Sequence, residues 1–132
     1  MKRIIIATAF VLVAQSHVAL PAKSVTPGQV YAAHSSSEVL DIIESTPNVV
    51  VDFSASWCGP CKRMEPILHA LAAELPTITI ITVDVEDFDD TSKIHNVKRM
   101  PTFVFFKSGK KVGFTTGEQS RKEFKSLLTR YF

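Results

Sequence analysis

Hydrophobic runs alternate with polar, turn-forming segments along the chain, and each run predicts a strand or a helix. The segments "NVVVDFSA" (48–55) and "TITIITVDV" (77–85) are rich in β-branched residues and predict two buried strands. Apolar residues between them recur with the spacing of one helical stripe: Met64, Ile67, Leu68, Leu71 and Leu75. A strand, a helix and a strand in this order predict a parallel pair of strands joined by a right-handed crossover.

Three further helices are predicted outside this unit. Ser36 or Ser37 can act as the N-cap of a first helix, which stops before Pro47. The segment "DTSKIHNV" (90–97) suggests a short helix. The last segment, "SRKEFKSLLTRYF" (120–132), carries an apolar stripe opposite a basic face and predicts a C-terminal helix.

A hairpin completes the predicted fold. The apolar segments "TFVFFK" and "KVGFTT" flank Ser108 and Gly109, where a tight turn needs a residue that tolerates positive φ. Pro66 lies inside the central helix and is expected to kink it, because proline lacks a backbone donor. The sequence therefore predicts one α/β domain over residues 26–132, with a mixed sheet of four or five strands and helices on both faces.

The N-terminal segment has the layout of a secretory signal peptide. Lys2 and Arg3 precede a mostly apolar run over residues 4–14, and Ala14-Gln15-Ser16 fits a small-x-small cleavage site. The apolar run is about half the roughly 20 residues that a spanning helix needs, so no permanent membrane span is expected. We predict a leader over residues 1–16, followed by a linker over 17–25.

A second targeting interpretation stays open. The chain has no acidic residue before Glu38, which is also typical of mitochondrial and plastid presequences. A single arginine and the lack of amphipathic spacing favour the secretory route, to a secreted, lumenal or periplasmic location. The segment from Pro21 to Ser37 can nevertheless be part of a longer targeting sequence that directs the chain to an organelle.

Charge argues against a nucleic-acid partner. Without Lys2 and Arg3 the chain carries 13 basic and 13 acidic residues, so it is formally neutral and lacks the excess of positive charge that binds phosphate backbones. We expect a monomer.

Candidate chemistry is concentrated in "SASWCGPCKRME" (54–65), which holds the two cysteines, Cys58 and Cys61. A structural zinc site normally takes four Cys or His ligands, and the chain has neither a second CxxC pair nor a paired-His motif, so no metal is expected. A structural disulfide is possible in a secreted chain. It would close a very short loop, however, and restrict the unfolded chain little.

The position of the pair favours redox chemistry. Cys58 lies where the predicted strand gives way to the helix, and the unpaired N–H groups of a helix N-terminus stabilise a thiolate. Cys61 lies three residues further on, on the same helical face, from which it can attack a mixed disulfide formed at Cys58. Pro60, between them, fits the first helical turn, where no donor is needed.

The sequence resembles the thioredoxin family over roughly residues 26–132. The resemblance rests on several features together: "VVDFSASWCGPCKRMEP", with Asp52 six residues before the first cysteine and Pro66 in the helix, and "VKRMPTFVFFKSGKKVG" downstream. It implies a thioredoxin fold, no cofactor, and a protein-disulfide reductase that cycles Cys58 and Cys61 between dithiol and disulfide.

The resemblance also implies roles for matching residues. Cys58 would be the nucleophile, Cys61 the resolving thiol, and Asp52 a buried proton acceptor whose pKa is raised by desolvation. A partly hydrated structural acid is the alternative for Asp52. Pro101 would be a cis-proline beside the cysteines, and Met100 would offer backbone groups to an extended substrate. Four further residues would complete the docking surface: Trp57, Gly59, Pro60 and Gly117. Their alternative role is packing or turn formation without substrate contact.

Two positions depart from the family pattern. Thr82 stands where some bacterial members carry a lysine near the buried acid, so a proton relay through that lysine is absent. Arg99 stands two residues before Pro101, where a small residue or cysteine is common, and it adds positive charge beside the docking surface.

Electron flow toward substrates is the expected direction. The Gly-Pro spacer carries no charge that would stabilise the dithiol, and thioredoxins have potentials of about −270 mV against about −180 mV for protein disulfide isomerase. The implied partners are disulfide-containing proteins and a thioredoxin reductase or other dithiol donor. Because the leader points to an oxidising route, disulfide isomerisation or oxidation stays open, as does an assembly subunit of a larger complex that uses the fold without turnover.

Overall fold

The computed structural model describes residues 25–132, so the predicted leader (1–16) and residues 17–24 of the predicted linker lie outside the described residues. Five strands are present: β1 (Val30–Ala32), β2 (Asn48–Ser54), β3 (Thr79–Asp84), β4 (Thr102–Lys107) and β5 (Lys110–Thr116). Four helices accompany them: α1 (Ser36–Ser45), α2 (Gly59–Glu74), α3 (Asp89–Ile94) and α4 (Arg121–Tyr131). The predicted α/β class and the hairpin after residue 101 are confirmed.

One mixed sheet, in the order β1-β3-β2-β4-β5, forms the centre of the fold. Strand β3 runs parallel to both β1 and β2, whereas β4 runs antiparallel to β2 and β5 antiparallel to β4. The predicted parallel pair is therefore confirmed as β2 and β3. Strand β1 was not assigned from the sequence, because three residues at a sheet edge, two of them partly buried and one exposed, leave no hydrophobic pattern.

The two faces of the sheet carry separate hydrophobic cores. On one face, α1 and the N-terminal end of α3 pack against alternate residues of the strands, among them Val51, Phe53 and Ile81. On the other face, α2 and α4 pack against the residues in between, such as Val50 and Phe103. Helices on both faces explain why the strand segments are almost continuously apolar.

The ends of two helices differ from the sequence prediction: the short helix suggested by residues 90–97 spans Asp89–Ile94, and α1 has a different N-cap. Ser35, not Ser36 or Ser37, is the N-cap of α1, and its hydroxyl accepts a hydrogen bond from the Glu38 N–H at 3.1 Å. Three serines in a row offer the same cap chemistry. Ser35 is the N-cap because it has an extended backbone and directly precedes the first helical residue. Pro66 does lie inside α2, as predicted.

The β4–β5 turn uses two residues with positive φ rather than one. Ser108 has φ of 48° and Gly109 has φ of 78°, which is the pattern of a two-residue hairpin turn. Across the hairpin, Gly113 faces Phe105, and the Tyr131 ring stacks on Phe105 at a centroid distance of 4.6 Å. A Cβ at Gly113 would lie 2.3 Å from the Tyr131 ring, so this glycine makes room for the C-terminal helix.

Candidate active site

The two cysteines lie at the junction of β2 and α2, as the sequence predicts, and form a disulfide with a Cα–Cα distance of 5.3 Å. Cys58 is the N-cap of α2, and its Sγ accepts a hydrogen bond from the Cys61 N–H at 3.3 Å. Each residue is 5% exposed, so burial does not distinguish the two sulfurs. Their positions on the helix do, because Cys58 is the N-cap, which the unpaired N–H groups of the first turn face, whereas Cys61 is the third residue of the helix itself.

The loop that precedes β4 packs against this disulfide. The Met100–Pro101 peptide bond is cis, and Met100 packs with Ala55 against the cysteine pair. Pro101 directly precedes β4, which pairs with β2, so the sheet itself fixes the distance between the two loops. The structure thus brings together cysteines and a proline that are some forty residues apart in sequence.

Gly117 joins the same surface through the backbone. Its N–H donates a hydrogen bond to the Pro101 carbonyl oxygen at 2.8 Å, and its φ of 85° lies in the left-handed region. Trp57 is 63% exposed beside the cysteines, with its indole N–H donating to Glu86 at 3.2 Å. Gly59 and Pro60 form the first turn of α2. These residues surround the disulfide with a mostly apolar face.

Arg99 lies at the edge of this face. It is exposed, and it lines a small cavity of about 240 Å³ together with Met100, Val85 and Lys98. Its own carbonyl oxygen accepts a hydrogen bond from the Thr102 hydroxyl, which ties its backbone to the start of β4. A guanidinium without a salt-bridge partner among the described residues is available to bind an anionic group.

Asp52 lies behind the disulfide, in the middle of β2. It is 4% exposed, and its neighbours in the sheet are Thr82 on β3 and Phe103 on β4. Burial, followed by the negative charge of Glu65, raises the pKa of Asp52 to about 7. Asp52 and Cys61 line one cavity of about 400 Å³, so a proton can pass between them through that space.

Two contacts at the site were not predicted from the sequence. Arg63 makes a bidentate salt bridge to Glu118, with the shorter N–O distance 2.8 Å, which links α2 to the residue after Gly117. Glu86 accepts the Trp57 hydrogen bond. Neither pairing has a signal in the sequence, because the partners are 55 and 29 residues apart.

Neither a metal-binding cluster nor a membrane-spanning helix is found in the part of the chain that the structure describes. Across residues 25–132, no His, Cys, Asp and Glu side chains are grouped so as to hold a metal ion. Over the same range, no helix is long and apolar enough to cross a membrane.

Comparison with known proteins agrees with this geometry. The family model described as thioredoxin matches residues 30–130. The chain belongs to the thioredoxin family. Thioredoxin from Oryctolagus cuniculus is 46% identical over 90 residues, which cover 67% of this chain and 86% of the relative. Thioredoxin from Chlamydia trachomatis is 40% identical over 83 residues, which cover 63% of this chain and 81% of the relative.

Solved thioredoxin structures share the fold. A thioredoxin from Nicotiana alata superposes with a TM-score of 0.73 at 34% identity, covering 82% of this chain and 96% of that one. A mutant thioredoxin from Halobacterium salinarum gives a TM-score of 0.75 at 28% identity, covering 82% and 95%. With the thioredoxin family and the cysteine pair both established, this thioredoxin-family chain is a thiol-disulfide oxidoreductase, an enzyme of the protein-disulfide reductase type.

Proposed function

We propose that the protein reduces disulfides in protein substrates, with Cys58 as the nucleophile and Cys61 as the resolving thiol. The observation that carries this assignment is the position of Cys58 at the N-cap of α2, where its sulfur accepts the Cys61 N–H. A thiolate at that position is stabilised by the unpaired N–H groups of the first helical turn. The same groups do less for Cys61, which lies inside the turn.

The substrate would dock in an extended conformation beside Met100. This residue precedes β4 and lies outside the paired registers of the sheet, so its backbone groups can pair with a peptide strand. The exposed Trp57 ring and the turn at Gly117 flank that position with apolar surface. A flat surface of this kind suits many protein substrates rather than one small molecule.

The reaction then proceeds in two exchanges. The Cys58 thiolate attacks one sulfur of the substrate disulfide, forming a mixed disulfide and releasing one substrate thiol. Cys61 loses its proton to the Asp52 carboxylate and attacks the Cys58 sulfur, which releases the second substrate thiol and leaves the Cys58–Cys61 disulfide. Asp52 suits this role because a carboxyl group with a pKa of about 7 exchanges protons near neutral pH.

The oxidised enzyme needs two electrons to return to the dithiol. We propose a thioredoxin reductase or another dithiol protein as the donor, and a monomer as the working form. We also propose that residues 1–16 direct the chain into the secretory pathway, with an organelle as the alternative destination. Localising the intact precursor with a C-terminal tag in its native cell tests this route.

An insulin reduction assay with dithiothreitol tests turnover. We expect the protein to accelerate insulin precipitation over dithiothreitol alone, and the Cys58→Ser/Cys61→Ser double variant to lose that acceleration. Equal rates with and without the wild-type protein would overturn the proposed activity.

A further inference from the structure

The cavity behind the disulfide reaches from the buried acid to the protein surface. Asp52 and Cys61 line its inner end, whereas Lys62, Glu65 and His69 of α2 are exposed and line its outer side. Its volume of about 400 Å³ is far larger than the roughly 30 Å³ that one water molecule takes in the liquid. The space therefore has room for a chain of water molecules between Asp52 and bulk solvent.

The Asp52 side chain has an oxygen without a polar partner and no paired cation in the described part of the chain. Its Oδ1 atom is buried and has no hydrogen-bond partner among the described residues. No described cation forms a salt bridge with it, and its sheet neighbour Thr82 carries no charge. The charge state of Asp52 is therefore set by burial and by the groups across the cavity.

Glu65 is the acidic group on α2 that faces this space. It follows Cys61 by four residues, so the two lie on the same side of the helix, and it has no salt-bridge partner among residues 25–132. The other charged or titratable groups lining the cavity are Lys62 and His69 on α2 and Asp84 on β3. Asp84 has a local partner, since its Oδ1 accepts the Glu86 N–H at 2.9 Å.

We propose that Glu65, acting across this cavity, controls proton exchange between Asp52 and Cys61 in the resolving step. The inference rests on the proposed function, because it assigns Glu65 as a positioning residue for that reaction. A negative charge at the outer side of the cavity disfavours ionisation of a second carboxyl group at its inner end. The charge of Glu65 thereby makes the ionised Asp52 a stronger proton acceptor. It also brings the pKa of Asp52 closer to the pH at which thiols exchange.

Removal of this charge has a definite direction. In Glu65→Gln, the pKa of Asp52 falls, because the repulsion that opposes its ionisation is gone. The shift is roughly half a pH unit for one charge across a partly aqueous gap. Glu65→Lys shifts the midpoint further in the same direction, whereas Glu65→Asp retains the charge and stays near wild type.

Two measurements on the full-length protein test the proposal. Carbon NMR of the Asp52 carboxyl group gives its midpoint in the oxidised protein, and single-turnover kinetics gives the pH profile of the resolving step. We expect Glu65→Gln to move both midpoints to lower pH together. Glu44→Gln is the matched control, since it removes one negative charge from an exposed position of α1 on the opposite face and leaves both midpoints in place.

Three outcomes contradict the proposal: an unchanged Asp52 midpoint in Glu65→Gln, an equal shift in Glu44→Gln, or a shifted Asp52 midpoint with an unchanged kinetic profile. Failure of the proposed function would look different, because the wild-type protein would then not accelerate insulin reduction at any pH. Gln is a good helix former, so loss of the fold does not complicate the exposed substitution.

Discussion

The N–H of Gly117 donates a 2.8 Å hydrogen bond to the carbonyl oxygen of Pro101, which joins the turn after β5 to the loop that contacts the disulfide. The backbone of Gly117 has a φ of 85°, a conformation that side chains of L-residues rarely adopt. A Cβ placed there would meet no atom within 4 Å. The requirement for glycine is therefore conformational and not steric.

Gly117→Ala is expected to lower the free energy of unfolding by about 1–2 kcal/mol, the cost of left-handed backbone for a non-glycine residue. Gly59→Ala is the matched control. A Cβ at Gly59 would make only an ordinary 3.5 Å contact with Arg63, and alanine suits a helix better than glycine. Urea unfolding of both variants checks the prediction, and equal effects would contradict it.

The contribution of Asp52 to the stability of the oxidised protein should fall as pH rises from about 4 to about 7. Folding raises the pKa of Asp52 from 3.8 to about 7, so the folded state binds more protons in this window and the unfolded state loses its proton first. The stabilisation that Asp52 contributes is complete below pH 3.8 and lost above about pH 7. It amounts to at most about 4 kcal/mol.

Asp52→Asn removes that titration. In this variant, residue 52 should contribute no change in the free energy of unfolding between pH 4 and pH 7. We also expect the variant to be more stable than wild type at about pH 8, where wild type buries a carboxylate. Urea unfolding of the oxidised proteins at a series of pH values measures the difference. A wild-type curve that rises with pH over this window, relative to Asp52→Asn, would be incompatible with the raised pKa.

Gly113→Ala is expected to destabilise the fold by about 1–3 kcal/mol, the usual range for an overpacked contact. The added Cβ would lie 2.3 Å from the Tyr131 ring, and that ring cannot move freely because it stacks on Phe105. In a Tyr131→Ala background the same substitution should cost much less. An identical cost in both backgrounds, measured by urea unfolding, would show that the ring is not responsible.

Arg99→Glu should weaken reduction of substrates with acidic residues next to the target disulfide. Arg99 lines the small cavity beside Met100 together with Lys98, and neither cation has a salt-bridge partner among the described residues. The expected change is a higher KM with kcat little affected, as for lost substrate binding. Peptide disulfides with acidic and neutral flanks separate the two parameters.

Arg130→Glu gives the control for the change in net charge, because Arg130 is exposed in the last turn of α4 and does not line the cavity at Met100. An equal loss with neutral and acidic peptides in Arg99→Glu would argue against a specificity role.

The sequence predicted the elements that bury continuous apolar surface. Strands β2, β3 and β4 and helix α2 each bury most of a hydrophobic face, so their patterns are strong. The parallel pairing of β2 and β3 followed from the connection rule, whereas the place of β4 beside β2 was not predicted. Strand β1 was missed because two of its three residues are only partly buried and the third is exposed. The N-cap of α1 was misplaced because three consecutive serines offer the same chemistry.

At the site, local motifs were predictable and long-range polar pairs were not. The disulfide, the helix N-terminus at Cys58 and the acid on β2 follow from one short segment of the sequence. The Arg63–Glu118 salt bridge and the Trp57–Glu86 hydrogen bond depend on how distant loops meet. Glu65 had an available signal, since it lies one helical turn after Cys61. Its effect on the pKa of Asp52 could be inferred only from the structure, in which both residues line one cavity.

The central claim, that Cys58 attacks the substrate and Cys61 resolves the intermediate, is tested most directly by trapping the mixed disulfide. Reduced Cys61→Ser and Cys58→Ser are each mixed with insulin and analysed under non-reducing conditions by mass spectrometry, with the double serine variant as control. We expect a stable insulin adduct with Cys61→Ser, linked through Cys58, and none with Cys58→Ser. An adduct that forms with Cys58→Ser and not with Cys61→Ser would contradict the assignment.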